Sequence, residues 1–336
     1  MKRILITGAA GFIGFHLAKW LKNRGDFCLG LDNFNPYYDP QLKRDRAAEL
    51  QKQGIEIVHA DIQQSHIVKM LLLKHGITHT VHLAAQAGVR HSLSHPDDYV
   101  ASNLHGFVSI LEACRPFPSM KFIYASSSSV YGLNKKTPFN VEDKTDQPAN
   151  LYGATKKANE VIAHSYHHLY GLSVTALRYF TAYGPWGRPD MAYYRFTRQI
   201  CDNQPIQVFN SGLMKRDFTY IDDIVQGTLS AIDLGANCEI FNLGNNRPVD
   251  LLYLIHLLEE ALGKTAVKEL LPMQAGEVSE TFADIEKSQK LLNFRPTISL
   301  EEGILHFVDW FQQYHGYSRE KSGTGTQSGA FTNSFP

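Results

Sequence analysis

The chain has 336 residues, 43% of them hydrophobic, enough to bury a large core shared by two lobes and too apolar for a disordered polymer. Its 33 basic residues balance 33 acidic ones, so no net field draws in nucleic acid or an anionic membrane, and an anionic ligand must be met by locally placed groups. The start, MKRILI, has no secretory apolar region, no run approaches membrane-spanning length, and Cys28, Cys114, Cys201 and Cys238 are too scattered for a zinc knuckle or a disulfide framework, which together predict a cytoplasmic protein with reduced, buried thiols.

In chain order, short apolar runs predict strands at Ile4–Thr7, Cys28–Asp32, Glu56–Asp61, Thr80–Ala84, Phe122–Ser126 and Val174–Arg178, with helical patterns between them. That alternation predicts an α/β fold, a Rossmann-type doubly wound parallel sheet. From Thr181 the pattern loosens, with helices at Tyr193–Asp202 and Leu251–Leu262, as expected of a smaller mixed α/β substrate-binding lobe. A late strand at Ile240–Leu243, after a helix beginning near Asp222, interleaves the lobes: residues 1–180 plus about 217–245 for the nucleotide domain, about 181–216 and 246–316 for the other. Residues 317–336 are rich in Gly, Ser and Thr and predict a disordered tail.

The first strand runs into TGAAGFIG, in which Gly8, Gly11 and Gly14 open a helix. Glycines permit a tight turn and close approach of the backbone to a pyrophosphate, whose charge is stabilised by the unpaired N–H groups of the helix start. Asp32, ending the second strand, is placed to accept hydrogen bonds from an adenosine ribose and to repel a 2′-phosphate, which favours NAD over NADP. Asp61, ending the third strand, either meets the adenine amino group or caps the following helix. Phe12, Ile13, Ile62 and Ala84 complete the expected cofactor contacts.

The serine run of YASSSSVYG follows a strand end, where doubly wound sheets present ligands, and its hydroxyls either hydrogen-bond a reacting C–O group or satisfy the loop's own backbone. In YGATKKANE, Tyr152 and Lys156 stand four apart and share a helical face, whereas Lys157 points away. A free phenol has a pKa of about 10, too high for a base at neutral pH, and a neighbouring ammonium with a nicotinamide cation favours its phenolate. Tyr152 is then able to take a proton from a sugar hydroxyl.

Together TGAAGFIG, LAAQAGVR, SSSSVYG, YGATK and RYFTAYGPWGRPDMA resemble the extended short-chain dehydrogenase/reductase superfamily, from Lys2 to about Tyr314. LDNFNPYYDPQLKRDR and GPWGRPDMA resemble its UDP-glucuronate 4-epimerases in particular. The resemblance implies Ser127 as the hydroxyl assisting Tyr152, and Ser128, Ser129, Thr181 and Arg188 as contacts of the uronate or its nucleotide. Arg188 either grips a planar carboxylate, which its fork bonds bidentately, or forms a structural ion pair in its loop. Arg216 resembles a residue that meets the UDP pyrophosphate, while Glu277 and Asp284 fall in a segment resembling one that lines the nucleotide pocket. Arg90 either reaches phosphates or is structural.

The implied reaction is removal of the C4 hydrogen of UDP-glucuronate to NAD+ through a 4-keto sugar, and its return on the other face to give UDP-galacturonate, a polysaccharide precursor. A decarboxylase of the same substrate, a 4-epimerase of UDP-glucose or UDP-N-acetylglucosamine and a non-catalytic NAD sensor are the alternatives. Decarboxylating and dehydrating relatives usually carry an acid beside the catalytic hydroxyl, where this chain has Ser128 and Ser129. His164 and His168 share a helical face without a third ligand, so no metal is expected. By resemblance, the helical stretches Asn103–Cys114 and Tyr152–Leu169 pair across a homodimer.

Overall fold

The computed structural model describes residues 1–317, so the tail expected to be disordered lies, beyond Tyr317, outside the described residues. Seven parallel strands form the main sheet: β1 (Arg3–Thr7), β2 (Phe27–Asp32), β3 (Glu56–His59), β4 (His79–His82), β5 (Lys121–Ser127), β6 (Ser173–Tyr179) and, much later, β10 (Cys238–Leu243). Their spatial order is β3-β2-β1-β4-β5-β6-β10, so the chain reverses direction across the sheet between β1 and β4 and opens a crevice at the strand ends there.

Because successive side chains point to opposite faces, a strand buried on both sides feeds two cores. Ile4 and Ile6 of β1 join one, Leu5 the other. On the first face helix Phe12–Asn23 packs against helix Ile221–Leu234; on the second, helices Ser65–Lys74, Gly106–Cys114 and Leu151–Tyr170 cover the sheet. Expected strands and observed ones differ by one or two residues at their ends. Ala60 N and Leu83 N still reach Asp32 O and Thr7 O, but beyond them side-chain bonds replace the ladder, so β3 and β4 stop at His59 and His82.

The second lobe holds two small sheets. β7 (Thr181–Tyr183), β9 (Lys215–Tyr220) and β11 (Pro248–Asp250) form one; β8 (Ile206–Phe209) and β12 (Lys268–Leu271) the other. β9 therefore stays with this lobe, and the chain rejoins the main sheet from Ile221 through to β10. Helices Ala192–Cys201, Leu251–Leu262 and Leu300–His315 pack around an aromatic core in which Tyr193, Tyr194, Phe307 and Phe311 meet. All four cysteines are unpaired, and among the described residues no helix is long and apolar enough to cross a membrane.

Candidate active site

A cavity of about 640 Å3 runs along the crevice and is lined from both lobes. At the β1 end, Gly8 takes φ +73°, and a Cβ there would sit 2.7 Å from Ala84 N; a Cβ on Gly14 would sit 2.2 Å from Gly8 O. Only bare backbone fits this turn. Gly11 is the N-cap of helix Phe12–Asn23 and offers no side-chain cap, which leaves the first N–H groups of the helix for an anion. Asp32 is buried, its carboxylate accepting from Ala10 N at 3.0 Å and Phe34 N at 2.9 Å, so it clamps the glycine turn while lining the cavity. Phe12, Ile13, Ile62 and Ala84 line it too. These residues fit a dinucleotide: a cradle a Cβ would fill, a helix start and a strand-end carboxylate.

Asp61 does not line the cavity. Its oxygens accept from Gln63 N at 2.9 Å and Asn33 Nδ2 at 2.8 Å, so it closes the turn ahead of helix Ser65–Lys74, whose N-cap is Gln64 with no side-chain cap, because a short Asp side chain beside an open turn bonds the turn's own N–H first.

Ser127 ends β5 and starts a tight turn, its Oγ accepting from Ser129 N at 3.1 Å. Asn150 caps the helix that carries Tyr152 and Lys156 by accepting from Gly153 N at 2.8 Å, and Gly171 ends it in a left-handed conformation. Lys156 Nζ donates to Ala125 O at 2.9 Å. Burial pushes this ammonium down from 10.5 to about 8. Burial also raises the Tyr152 phenol, opposed by its hydrogen bond with Ser127 and by the positive charge of Arg188. The serine, the tyrosine and the lysine are thus brought together at one place in the cavity.

Ser128, Ser129, Thr181 and Arg188 line the same space. Arg188 holds a bidentate pair with Asp190, Nε to Oδ1 at 3.0 Å and Nη2 to Oδ2 at 2.6 Å, and Tyr37 donates to that same Oδ2 at 3.2 Å. Further along, Glu277 lies between two arginines, 2.8 Å from Arg90 Nη2 and 3.8 Å from Arg216 Nη2. All three line the cavity, as does Arg195, held down by burial and by the charge of Arg90. Asp284 lies outside the lining; its carboxylate accepts from Asn140 Nδ2 at 2.7 Å and Glu286 N at 2.9 Å, starting the following helix.

Sequence reasoning missed Arg195, Tyr37 and Asn103. Arg195 lies on an amphipathic helix, where an arginine reads as a solvated face. Asn103 is buried: its Nδ2 donates to Gln86 O at 2.9 Å and Thr155 Oγ1 at 3.0 Å, and its Oδ1 accepts from Gln86 N at 2.8 Å. It ties the loop after β4 to the tyrosine helix, a long-range contact with no local signal. His164 and His168 are both exposed, and among the described residues no group of three or more His, Cys, Asp or Glu gathers to hold a metal.

The chain is 50% identical to UDP-glucuronate 4-epimerase 4 of Arabidopsis thaliana, over 95% of this chain and 76% of the plant protein. It is 42% identical to Protein CapI of Staphylococcus aureus, over 93% of this chain and 99% of that one. A crystal structure of UDP-glucuronic acid 4-epimerase from Bacillus cereus in complex with UDP-glucuronic acid and NAD superposes with a TM-score of 0.87 at 38% identity, over 93% of this chain and 99% of that one. With residues 4–244 matching the profile of the NAD dependent epimerase/dehydratase family, the chain belongs to that family.

Proposed function

We propose that the protein is an NAD-dependent UDP-glucuronate 4-epimerase that interconverts UDP-glucuronate and UDP-galacturonate. The observation that carries this reading is the meeting, in one cavity, of the glycine cradle, the Ser127–Tyr152–Lys156 group and Arg188 with Ser128 and Ser129. The Gly8–Gly14 turn, the start of helix Phe12–Asn23 and Asp32 would hold NAD+, which would supply a reversible acceptor for the C4 hydride.

Tyr152 takes the proton from the C4 hydroxyl, and Ser127, whose hydroxyl opposes the burial that raises the phenol's pKa, assists it. Lys156, on the same helical face, adds positive charge that favours the phenolate. The resulting 4-keto uronate is a β-keto acid, prone to lose CO2. Arg188 with the hydroxyls of Ser128 and Ser129 holds its carboxylate so that the C–C bond is poorly aligned with the ketone. Thr181 adds a contact to the sugar. Arg216 and Arg90 offer charge to the pyrophosphate, with Glu277 holding both guanidiniums in place.

The reading includes a cytoplasmic homodimer serving polysaccharide synthesis. In support of dimerisation, Val161 is exposed and Ala154, Ala158, Leu104 and Val108 are half-buried on the two adjacent helical stretches. The deciding experiment is incubation of the purified protein with UDP-glucuronate, followed by separation of nucleotide sugars and detection of CO2. UDP-galacturonate without CO2 or added reductant supports the reading. UDP-pentose with CO2 makes the protein a decarboxylase, and no turnover of UDP-glucuronate defeats the assignment.

A further inference from the structure

The segment LDNFNPYYDPQLKRDR spans residues 31–46 and ends in Arg46, whose side chain is completely buried. All five N–H groups of its guanidinium find neutral oxygens. Nε and Nη2 donate to Trp186 O at 3.1 and 2.5 Å, and Nη2 also to Gly187 O at 2.9 Å; Nη1 donates to Ala10 O at 3.1 Å and to Tyr38 Oη at 2.8 Å.

The positions of these acceptors carry the inference. Ala10 lies inside the glycine turn, its N–H already held by Asp32, so Arg46 fixes the same turn from its carbonyl side. Trp186 and Gly187 directly precede Arg188. Trp186 is held at φ +60°, a left-handed conformation that a bulky residue rarely adopts and keeps only where its surroundings over-determine it. Gly187 admits no larger residue, since a Cβ there would sit 1.9 Å from Tyr193 Oη. A lysine could not reproduce the arrangement, because its three donors leave a single point instead of a planar fork.

We propose that Arg46 is a positioning residue that sets the cofactor turn and the Arg188 loop together, so that the dinucleotide cradle and the carboxylate grip share one buried guanidinium. The proposal rests on the reading that Arg188 meets the sugar carboxylate. If the guanidinium merely bolted the fold together, replacing it would lower the folded fraction and scale the apparent kcat, but leave the affinities and product ratio of the folded enzyme alone.

The test compares wild type with Arg46→Lys and Tyr38→Phe. Wild-type turnover of UDP-glucuronate is established first; its absence defeats the functional reading independently of Arg46. For each folded variant the KM for UDP-glucuronate, the Kd of NAD and the ratio of UDP-pentose to UDP-galacturonate are then measured. Arg46→Lys raises both KM and Kd by about 10-fold and increases the pentose share, since small misplacements of positioning groups are costly. Tyr38→Phe, which removes one acceptor of Nη1, moves KM and Kd in the same directions by roughly 3-fold. A folded Arg46→Lys protein with unchanged KM, Kd and product ratio overturns the proposal, as does a change confined to one of the two ligands. Should Arg46→Lys not fold, unchanged values for Tyr38→Phe overturn it instead.

Discussion

Lys156 donates to the carbonyl of Ala125, so the helix that carries Tyr152 is bonded to the strand that ends in Ser127. This bond gives a 3% exposed ammonium one neutral acceptor, and burial lowers its pKa from 10.5 to about 8. Between those two values the native chain holds fewer protons than the unfolded chain, so unfolding free energy climbs as pH rises through that window. Below about 8 the cost of burying the charge is fully present. Lys156→Met therefore stabilises the fold by about 1–3 kcal/mol at pH 7 while abolishing turnover. Denaturation of both proteins at pH 7 and pH 10 checks this: the gap narrows at the higher pH, and a methionine variant less stable than wild type at pH 7 refutes the account.

Tyr152→Phe removes the proton acceptor and leaves the ring's packing against Tyr99 intact, with centroids 6.2 Å apart. Turnover falls by about 10²–10⁴-fold, the range of a positioned acid–base group, while NAD still binds. Ser127→Ala falls less, because it loses a partner of the phenol and keeps the base. Its optimum moves to higher pH, since the Ser127 hydrogen bond lowers the Tyr152 pKa and its loss removes that opposition to burial. A pH–rate profile of Ser127→Ala identical in shape to wild type contradicts this.

The bidentate pair with Asp190 takes the Nε/Nη2 edge of Arg188 and holds its planar guanidinium in place, leaving Nη1 for another acceptor. Arg188→Lys keeps a charge but loses the fork, so the KM for UDP-glucuronate rises about 10-fold and CO2 appears among the products. Trapped CO2 per turnover is the measurement. An Arg188→Lys enzyme that makes only UDP-galacturonate shows that carboxylate grip does not suppress decarboxylation.

Much of this site is legible in the sequence because its parts are local. The glycine turn, the strand-end Asp32 and the Tyr152–Lys156 face each need only a dozen residues and one periodicity to read, and the strand alternation fixes which crevice they meet in. What is not legible comes from distant segments. Nothing near Arg46 announces that its acceptors lie at residues 10, 38, 186 and 187, and Asn103 reads as an ordinary helical asparagine. Asp61 and Asp284 mislead for the opposite reason: a short acid at a turn has two uses, and only the backbone's path shows that local N–H groups claim both.

Gly14→Ala tests the cradle without touching charge. Its Cβ would lie 2.2 Å from Gly8 O and 3.0 Å from Ala9 Cα, both backbone atoms that no side-chain rotation can clear. Gly14 is helical, so alanine suits its local conformation and the cost falls on the approach of the helix to the Gly8–Ala9 turn. NAD affinity drops by at least about 10-fold with the far-UV spectrum of a folded protein retained. Near wild-type affinity in a folded Gly14→Ala protein means that the turn relaxes at little cost and that close packing of the helix on the turn is not what holds the cradle open.

One turn beyond Lys156, Glu160 forms a bidentate ion pair with Arg178 of β6, at 2.8 and 2.9 Å, and accepts from Ser126 Oγ at 2.6 Å. Both charged side chains are almost fully buried, 2% exposed for Arg178 and 3% for Glu160. Arg178 also donates to Tyr131 Oη at 3.0 Å, and that phenol donates to Asn242 at 2.7 Å, so β5, β6, β10 and the tyrosine helix are joined through one pair of charges. Glu160→Gln leaves the guanidinium buried without a counter-charge and costs about 3–5 kcal/mol, while the pair replaced by Leu and Met costs less than the sum of the single changes. A double-mutant cycle by chemical denaturation should show a coupling above about 1.5 kcal/mol. Additive losses would mean that the two charges are satisfied independently, Arg178 by Tyr131 and Val141, and that the ion pair does not hold the serine strand against the tyrosine helix.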